Sequence, residues 1–183
     1  MSKSPPKLFT IGHSTHSLED FLSILIAHKI KTLIDVRTVP RSRRVPHFNI
    51  ENLSDSLPRH QIQYLHIPAL GGLRKARPDS INTAWRNHSF RGYADYMQTP
   101  KFEEGLKELI KIARKQSTVI MCAEAVPWRC HRSLIGDAML ARGWEAIDLF
   151  SQTSAKPHKL TDFAKVEGTR ITYPSPQPQL FQL

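Results

Sequence analysis

Residues 118–149, TVIMCAEAVPWRCHRSLIGDAMLARGWEAIDL, contain one complete strand–helix–strand unit. Thr118–Cys122 and Glu145–Leu149 are short apolar segments of the kind that forms buried strands. Arg132–Arg142 lies between them with a helical pattern, and Gly143 is the residue type that most often ends a helix. This order is typical of a parallel sheet whose faces are covered by helices.

The same alternation runs through the N-terminal part of the chain. Its predicted strands are Lys7–Ile11, Thr32–Val36 and Ile62–Ile67, and its predicted helices are Leu18–His28, Ile50–Leu57, Ser80–Met97 and Phe102–Lys115. The pattern predicts a single-domain, Rossmann-like three-layer α/β sandwich with a mainly parallel sheet of about five strands. We expect this domain to span residues 1–168, and we expect the Pro-rich residues 169–183 to form an extended tail.

Composition places the chain among soluble proteins. It has 183 residues, 40% of them hydrophobic, and a net charge of +10. No apolar run approaches the roughly 18 residues of a membrane span, and the start of the chain lacks the apolar region of a signal peptide. We therefore expect a cytoplasmic protein whose cysteines, Cys122 and Cys130, are reduced thiols and not a disulfide scaffold.

Residues that can react with a ligand or bind it follow four of the five predicted strands. In chain order they are Gly12-His13-Ser14, then Asp35 and Arg37, then Leu70-Gly71-Gly72, and finally Cys122 with Glu124. Ligands of open α/β folds bind beyond the carboxyl ends of the strands, because the loops there lie along one edge of the sheet. The sequence therefore predicts one site that collects these residues.

Cys122-Ala-Glu124 and Cys130-His-Arg132 join a strand end to a helix start. At the start of a helix, free amide groups and the neighbouring arginines favour the thiolate of Cys130, so this residue is a candidate nucleophile. Glu124 is a candidate general acid or base. Three alternatives stay open: packing of Cys122 in the core, a reversible Cys122–Cys130 disulfide, and a metal site made by Cys122, Cys130 and His131 with help from His13.

Gly12, His13 and Ser14 offer an imidazole, a hydroxyl group and amide donors to an anion. We expect His13 to assist catalysis or to position the substrate, with Ser14 as a binding residue. Asp35 stands about where a dinucleotide-binding fold carries its ribose acid, but the glycine fingerprint is missing, so NAD is not inferred. No cofactor is predicted, and a divalent metal enters only through the alternative above.

Two basic segments flank the predicted site. Residues 37–47 contain four arginines (Arg37, Arg41, Arg43 and Arg44) and no acid, and residues 70–91 contain five basic residues against Asp79 alone. Trp85, Phe90, Tyr93 and Tyr96 lie close by in sequence and could stack on bases. Positive charge interleaved with aromatic residues is the pattern of a nucleic-acid or nucleotide ligand, and the alternative is a solvated basic surface over core aromatics.

Taken together, the chain resembles the domain-of-unknown-function 488 family. The resemblance rests on Thr10-Ile-Gly-His-Ser14, Asp35-Val-Arg37 with Pro40 and Ser42, Leu70-Gly-Gly72, and Cys122-Ala-Glu124 leading to Cys130-His-Arg132. These motifs span about residues 8–150. The resemblance implies a compact α/β fold with an enzyme-like cleft, and it implies no settled reaction.

The tail contains a motif outside that resemblance. Gln177, Leu180 and Phe181 form a Q-x-x-L-F pattern, which is similar to the peptides with which bacterial replication and repair proteins dock on the DNA sliding clamp. An extended tail would present such a peptide to an apolar groove. The alternative is a tail without a partner.

These observations predict an enzyme acting on nucleic acid or a nucleotide, of hydrolase, glycosylase or transferase type, in DNA repair or modification. In addition to the catalytic candidates His13, Cys122, Glu124 and Cys130, the expected substrate-binding residues are Ser14, Asp35, Arg37, Arg41, Gly71, Gly72, His131 and Arg132. Arg37, Arg41 and Arg132 would hold phosphate. The alternatives are a non-catalytic nucleic-acid-binding adaptor and a thiol redox or metal-binding protein.

Overall fold

A computed structural model describes residues 4–176 of the chain, and its centre is a six-stranded sheet. The strands are β1 (Lys7–Gly12), β2 (Thr32–Asp35), β3 (Gln63–His66), β4 (Thr118–Cys122), β5 (Glu145–Leu149) and β6 (Ala155–Pro157). Their spatial order is β3-β2-β4-β1-β5-β6, with β1 to β5 parallel and β6 antiparallel at one edge. The predicted fold class is confirmed: an α/β sandwich with five parallel strands, to which β6 adds an edge.

Five α-helices cover the sheet. They are α1 (Leu18–Ala27), α2 (Ile50–Arg59), α3 (His88–Tyr96), α4 (Pro100–Ala113) and α5 (Arg132–Leu140). Successive residues of a strand point to opposite faces, and the two buried apolar clusters follow that rule. Val119 and Met121 pack with α1 and α2, whereas Ile120 and Cys122 pack with α3, α4 and α5. Within residues 4–176, no helix has the length and apolar character needed to cross a bilayer.

The carboxyl ends of β1 and β4 meet at the same edge of the sheet. Gly12 stands opposite Cys122 in the parallel register. The pairing continues past the strand ends, because the His13 amide donates to the Cys122 carbonyl and the Ser14 amide to the Ala123 carbonyl, both at 2.9 Å. A Cβ atom at Gly12 would lie 1.7 Å from the Glu124 carbonyl oxygen, so only glycine permits this approach.

The predicted helix Ser80–Met97 is shorter in the structure, where α3 begins after Asn87. The Asn87 side chain accepts from the Ser89 amide at 2.8 Å and caps the helix there. The residues before it form a loop because the buried carboxylate of Asp95 draws them inward: it accepts from Ser80 Oγ at 2.6 Å and from Asn82 Nδ2 at 2.8 Å. Local hydrogen bonds to an acid outcompete helix formation at these positions.

The C-terminal segment also differs from the prediction. β7 (Lys165–Glu167) and β8 (Arg170–Thr172) form an antiparallel hairpin, and the next residue, Tyr173, is fully buried. The Tyr173 hydroxyl donates to Asp137 Oδ2 at 2.8 Å. Residues 170–173, which the sequence places in an extended tail, therefore pack against the α/β core. The Q-x-x-L-F pattern at Gln177, Leu180 and Phe181 lies outside the described residues.

Candidate functional site

A cleft of about 510 Å³ lies at the carboxyl edge of the sheet. Eight of the predicted site residues line it: His13, Arg37, Arg41, Gly72, Cys122, Glu124, Cys130 and His131. The other four predicted site residues, Ser14, Asp35, Gly71 and Arg132, are not part of the lining and support it from behind. Chain segments that are far apart in sequence thus contribute to one concave surface, as parallel-sheet topology requires.

Two sulfur atoms form part of the cleft wall. Cys122 and Cys130 are both buried, and their Sγ atoms lie within disulfide-bonding distance of each other. The structure therefore fits the alternative of a Cys122–Cys130 disulfide, because the end of β4 and the start of α5 aim both side chains at the same point. The Cα atoms are 7.4 Å apart. Since most disulfides have Cα separations of roughly 4.4–6.8 Å, this backbone also accommodates a reduced pair.

Arg132 lies directly beneath the sulfur pair. Its Nη1 is 2.8 Å from Cys122 Sγ and donates at 2.6 Å to the Glu124 carbonyl oxygen, while Nη2 donates to the Ala125 carbonyl at 3.0 Å. No carboxylate of residues 4–176 forms an ion pair with this buried guanidinium, and its Nε has no hydrogen-bond partner there. Burial lowers the pKa of Arg132 to about 10, so the side chain is still a cation at neutral pH. Asp148 and Glu124 act on this guanidinium through space without bonding to it, so the adjacent sulfur atom is its direct partner for a negative charge.

His131 contacts the sulfur atom of Cys130. Its Nδ1 is 3.6 Å from Cys130 Sγ, and its Nε2 is 2.8 Å from the Val36 carbonyl oxygen. A carbonyl oxygen only accepts, so Nε2 carries the proton and Nδ1 presents its lone pair to the sulfur. Burial lowers the pKa of His131 to about 4, which keeps the imidazole neutral. Gly72 backs the ring closely, since a Cβ atom there would lie 2.9 Å from Nδ1.

His13 is engaged at both ring nitrogens. Its Nδ1 lies 3.0 Å from the Ser14 carbonyl oxygen and its Nε2 lies 3.2 Å from Arg37 Nη1. Burial lowers the pKa of His13 to about 4, so the ring is neutral, donates from Nδ1 and accepts at Nε2. The ring also stacks on Phe48, with centroids 4.4 Å apart. These contacts suit His13 to positioning the arginine more than to free proton transfer.

Arg37 is tied to Asp35 below the cleft. Nε and Nη2 of Arg37 donate to the two Asp35 oxygens at 2.9 and 2.6 Å, and Nη2 also donates to the Phe48 carbonyl at 2.7 Å. Tyr64 completes the shell of the carboxylate with a hydrogen bond of 2.8 Å. With Nη1 also donating to His13, one N–H of Arg37 is left for a ligand. The edge of the Arg37 guanidinium that we expected to bind phosphate through two hydrogen bonds therefore binds Asp35.

The loops around the cleft depend on close backbone packing. Ser14 has a positive φ of 46°, an uncommon conformation for a residue with a side chain. A Cβ atom at Gly71 would lie 2.8 Å from Thr38 Oγ1, and the same hydroxyl donates to the Gly72 carbonyl at 2.8 Å. Ser14 and Gly71 thus shape the loops that carry the lining residues.

Exposed charges surround the mouth of the cleft. Glu124 is exposed, and within residues 4–176 its carboxylate has no hydrogen-bond or ion-pair partner. Arg41 pairs with Glu51 at the surface. Arg129 lines the cleft and is exposed, again without an ion pair in the described part of the chain. The mouth therefore offers a free carboxylate for proton transfer next to free positive charge.

The aromatic residues expected to stack on bases lie mostly inside the protein. Tyr93 is buried and its hydroxyl donates to the Leu70 carbonyl at 2.8 Å. The Tyr96 hydroxyl donates to the Ala69 carbonyl at 2.7 Å. Trp85 packs against Phe90 with ring centroids 4.7 Å apart, together with Phe163 and Tyr173. Only Phe90 and Tyr93 of the four line the cleft.

Several site features were absent from the sequence interpretation. The Val36 carbonyl, which orients His131, is a backbone group, and sequence patterns do not report its partner. Thr38, Val39 and Leu73 line the cleft beside the recognised motifs. Their position next to the motifs could have identified them as lining residues, because they lie in the same loops after β2 and β3. Among residues 4–176, no group of three or more His, Cys, Asp and Glu side chains is arranged to hold a metal ion.

The fold and the site define a class: an α/β protein with a cysteine pair, a buried arginine and a neutral histidine in a cleft at the carboxyl edge of its sheet. The chain belongs to the family described as Domain of unknown function DUF488, whose model matches residues 17–139. This range contains Asp35, Cys130 and most of the cleft, while His13 lies before it. No similar curated protein and no similar solved structure is found.

Proposed function

We propose that this protein is an enzyme acting on nucleic acid or a nucleotide through a cysteine nucleophile, with a role in DNA repair or modification. The contact of the buried Arg132 guanidinium with the sulfur pair carries this proposal. In the reduced protein, a cation without a directly bonded carboxylate lowers the pKa at which the pair of thiols loses its first proton. Such a pair in an open cleft is a preformed nucleophile.

The proposed reaction has two steps. The Glu124 carboxylate takes the proton of the Cys130 thiol, and the sulfur forms a bond to an electrophilic centre of the substrate. The bond to the leaving group breaks as Glu124 passes this proton to that group. The Glu124 carboxylate then takes a proton from water, whose oxygen attacks the same centre, and the released Cys130 sulfur regains its proton from Glu124. Net hydrolysis follows, and a hydroxyl group of a second substrate in place of water gives transfer.

Each supporting residue has a defined part in this scheme. His131 orients Cys130 through its Nδ1, and Arg132 balances the charge of the sulfur pair. Arg41 and Arg129 at the rim bind phosphate, with the remaining N–H of Arg37 as a third contact. The chemistry requires reduced thiols, so we place the protein in a reducing compartment such as the cytoplasm.

The test is a screen of the reduced protein against DNA, RNA and nucleotides. Cys130→Ser and Glu124→Gln are each expected to lower turnover by about 10²–10⁴-fold. Glu108→Gln, at an exposed position on α4, is the matched control and is expected to retain wild-type turnover. Intact-mass measurement of Glu124→Gln with substrate should reveal an adduct on Cys130. Binding with no turnover by the wild-type protein would instead favour a non-catalytic adaptor.

A thiol redox function is the second candidate, because the Cys122 and Cys130 sulfur atoms lie within bonding distance. In that case a mild oxidant forms the bond and a dithiol reductant cleaves it. The Cys122–Cys130 disulfide oxidises a dithiol substrate and becomes a dithiol, or the dithiol reduces a disulfide substrate and becomes a disulfide. Intact mass before and after alkylation distinguishes the two states. Redox turnover of a thiol substrate with no effect of nucleic acid would favour this candidate over the first.

We also propose that Gln177, Leu180 and Phe181 bind the bacterial DNA sliding clamp. The spacing of these residues supports this partner, because two apolar side chains next to each other suit anchoring in a groove. A peptide of residues 174–183 should bind the purified clamp, and Leu180→Ala with Phe181→Ala should abolish binding. Equal binding of the altered peptide would contradict the proposal.

A further inference from the structure

The three most exposed large apolar side chains among residues 4–176 lie at or beside the mouth of the cleft. Leu73 is 82% exposed, Trp128 67% and Val39 58%. Leu73 and Val39 line the cleft, and Trp128 directly precedes Arg129, which also lines it. Single exposed apolar residues are common on protein surfaces, whereas a concentration around one opening indicates a contact surface.

Leu73 projects from a fixed loop. Its φ is 56°, in the left-handed region that branched residues rarely adopt. On one side, Thr38 Oγ1 donates to the Gly72 carbonyl at 2.8 Å. On the other side, Arg74 Nε donates to the Gly71 carbonyl at 3.1 Å. The Gly71 and Gly72 carbonyls before Leu73 are therefore held by residues from either side, and an unfavourable conformation is retained at the residue that points an apolar side chain into solvent.

Positive charge accompanies this apolar mouth. Arg43 and Arg44, which directly follow the lining residues Arg41 and Ser42, are exposed and, like Arg129, have no ion-pair partner in the described part of the chain. Apolar side chains bordered by arginines are complementary to nucleic acid, in which stacked bases are bordered by phosphates. A protein or lipid partner would match the apolar residues but would not account for the surplus of arginine.

The sulfur atoms lie too deep for a base that remains stacked. Cys122 and Cys130 are almost fully buried at the floor, in a cleft of about 510 Å³. Pockets for a single small ligand span roughly 300–1,000 Å³, so one nucleotide fits the cleft and a duplex does not. An enzyme that must reach one nucleotide of a duplex rotates it out of the stack.

We propose that the substrate is a nucleotide extruded from duplex DNA, and that Leu73 is the wedge that occupies the space it leaves. The inference rests on the proposed function, since it assigns a substrate to the same cleft. Val39 and Trp128 flank the extruded nucleotide, while Arg43, Arg44 and Arg129 bind the phosphates beside it. Apolar wedges of this type stabilise unstacked base steps in other DNA complexes.

The experiment uses the reduced full chain and a duplex that carries 2-aminopurine at one position. Its fluorescence rises when the base leaves the stack, so it reports extrusion without requiring turnover. The wild-type protein is expected to raise the fluorescence on binding. Leu73→Ala is expected to lower the extruded fraction about tenfold while duplex affinity, measured by anisotropy, falls much less. Val166→Ala, an exposed apolar position on β7, is the matched control and is expected to match wild type.

The outcomes separate the inference from the proposed function. Duplex binding without a fluorescence rise, or an equal rise in Leu73→Ala and wild type, overturns extrusion and leaves action on single strands or free nucleotides in place. Absence of binding to duplex, single strand and nucleotide overturns the proposed function and the inference with it. Because Leu73 is exposed, an unchanged thermal midpoint of Leu73→Ala will exclude misfolding as the cause.

Discussion

The cleft floor and the C-terminal packing region both bury histidine, and they keep it in opposite charge states. His13 and His131 at the floor contact arginine or backbone groups, and burial lowers the pKa of each to about 4. His158 lies between Asp137 and Asp148, at 3.1 and 3.2 Å from their carboxylates. Burial alone would lower the pKa of His158, but the hydrogen bonds to both acids outweigh it and raise the pKa to about 9.

The difference lies in where the carboxylates are. In the C-terminal region, two carboxylates compensate the charge of His158, and Asp137 also accepts from Thr161 Oγ1 at 2.7 Å and from Tyr173. At the cleft floor, Arg132 has no carboxylate contact within residues 4–176. Breaking a compensated cluster destabilises the fold, whereas a cation without a directly bonded carboxylate stabilises a negative charge that forms next to it.

The largest loss of stability is expected when the compensated cluster of Asp137, His158 and Asp148 is broken. Asp137→Ala removes the acceptor of His158, Thr161 and Tyr173 and leaves a buried cation with one partner. We expect the free energy of unfolding to fall by about 3–5 kcal/mol in denaturant titration. Asp162→Ala, at an exposed position of the same segment, is the control. A loss below about 1 kcal/mol would show that the cluster is not a major contact of the C-terminal segment.

Stability should have a maximum in pH because the two regions titrate in opposite senses. A pKa raised to about 9 means that His158 stabilises the fold fully below its unfolded pKa of 6.5 and that this contribution is lost as pH rises from 6.5 to 9. His13 and His131 have lowered pKa values, so acidification from pH 6.5 to 4 also destabilises the fold.

Along each limb of this pH profile, the free energy of unfolding changes by up to about 3 kcal/mol per histidine. His158→Gln should flatten the alkaline limb and leave the acid limb in place, as followed by thermal unfolding at a series of pH values. His88→Gln, at an exposed position, should change neither limb. Unaltered loss of stability above pH 7 in His158→Gln would contradict the charge assigned to this histidine.

A smaller effect is expected from a change that disturbs the cleft floor alone. Gly72→Ala brings a Cβ atom to 2.9 Å from His131 Nδ1 and pushes the ring away from Cys130. We expect alkylation of Cys130 to slow by about tenfold at neutral pH. Gly143→Ala is the control: its φ of 75° makes alanine unfavourable, but no atom lies within 4 Å of the new Cβ. It should lower stability by about 1 kcal/mol and leave alkylation unchanged. Equal alkylation rates in both variants would remove His131 from the proposed mechanism.

The smallest effect on stability is expected at Glu124. Its exposed carboxylate has no partner in the described part of the chain, so Glu124→Gln should change the free energy of unfolding by less than about 0.5 kcal/mol. The same variant is expected to lose turnover. Substantial destabilisation by Glu124→Gln would mean that this residue is structural and would contradict its role in proton transfer.

The architecture and the gathering of the site were predictable because they depend on short-range patterns. Apolar strands alternating with helices imply a parallel sheet, and that sheet brings His13, Glu124 and Cys130 to one edge. The partners of individual side chains were not predictable in this way. Nothing in the motif Cys130-His-Arg132 indicates that the arginine contacts Cys122, which lies ten positions earlier and on another element.

The C-terminal cluster was not predicted for the same physical reason. Asp137, His158 and Tyr173 are separated by long stretches of chain, and only the folded structure brings them together. The segment that carries His158 and Tyr173 is polar and short of periodic apolar residues, so its pattern resembles that of a loop. Its strands β6, β7 and β8 have three residues each, too few to show an alternation.

Arg132, which has no directly bonded carboxylate within residues 4–176, favours a thiolate in the cleft. The most direct measurement is a pH titration of thiolate ultraviolet absorbance in reduced Cys130→Ser, which leaves Cys122 beside the guanidinium. We predict a pKa of the Cys122 thiol clearly below its ordinary value of about 8.5. A pKa at or above that value would mean that burial outweighs the guanidinium, and it would contradict the stabilisation of a thiolate by Arg132.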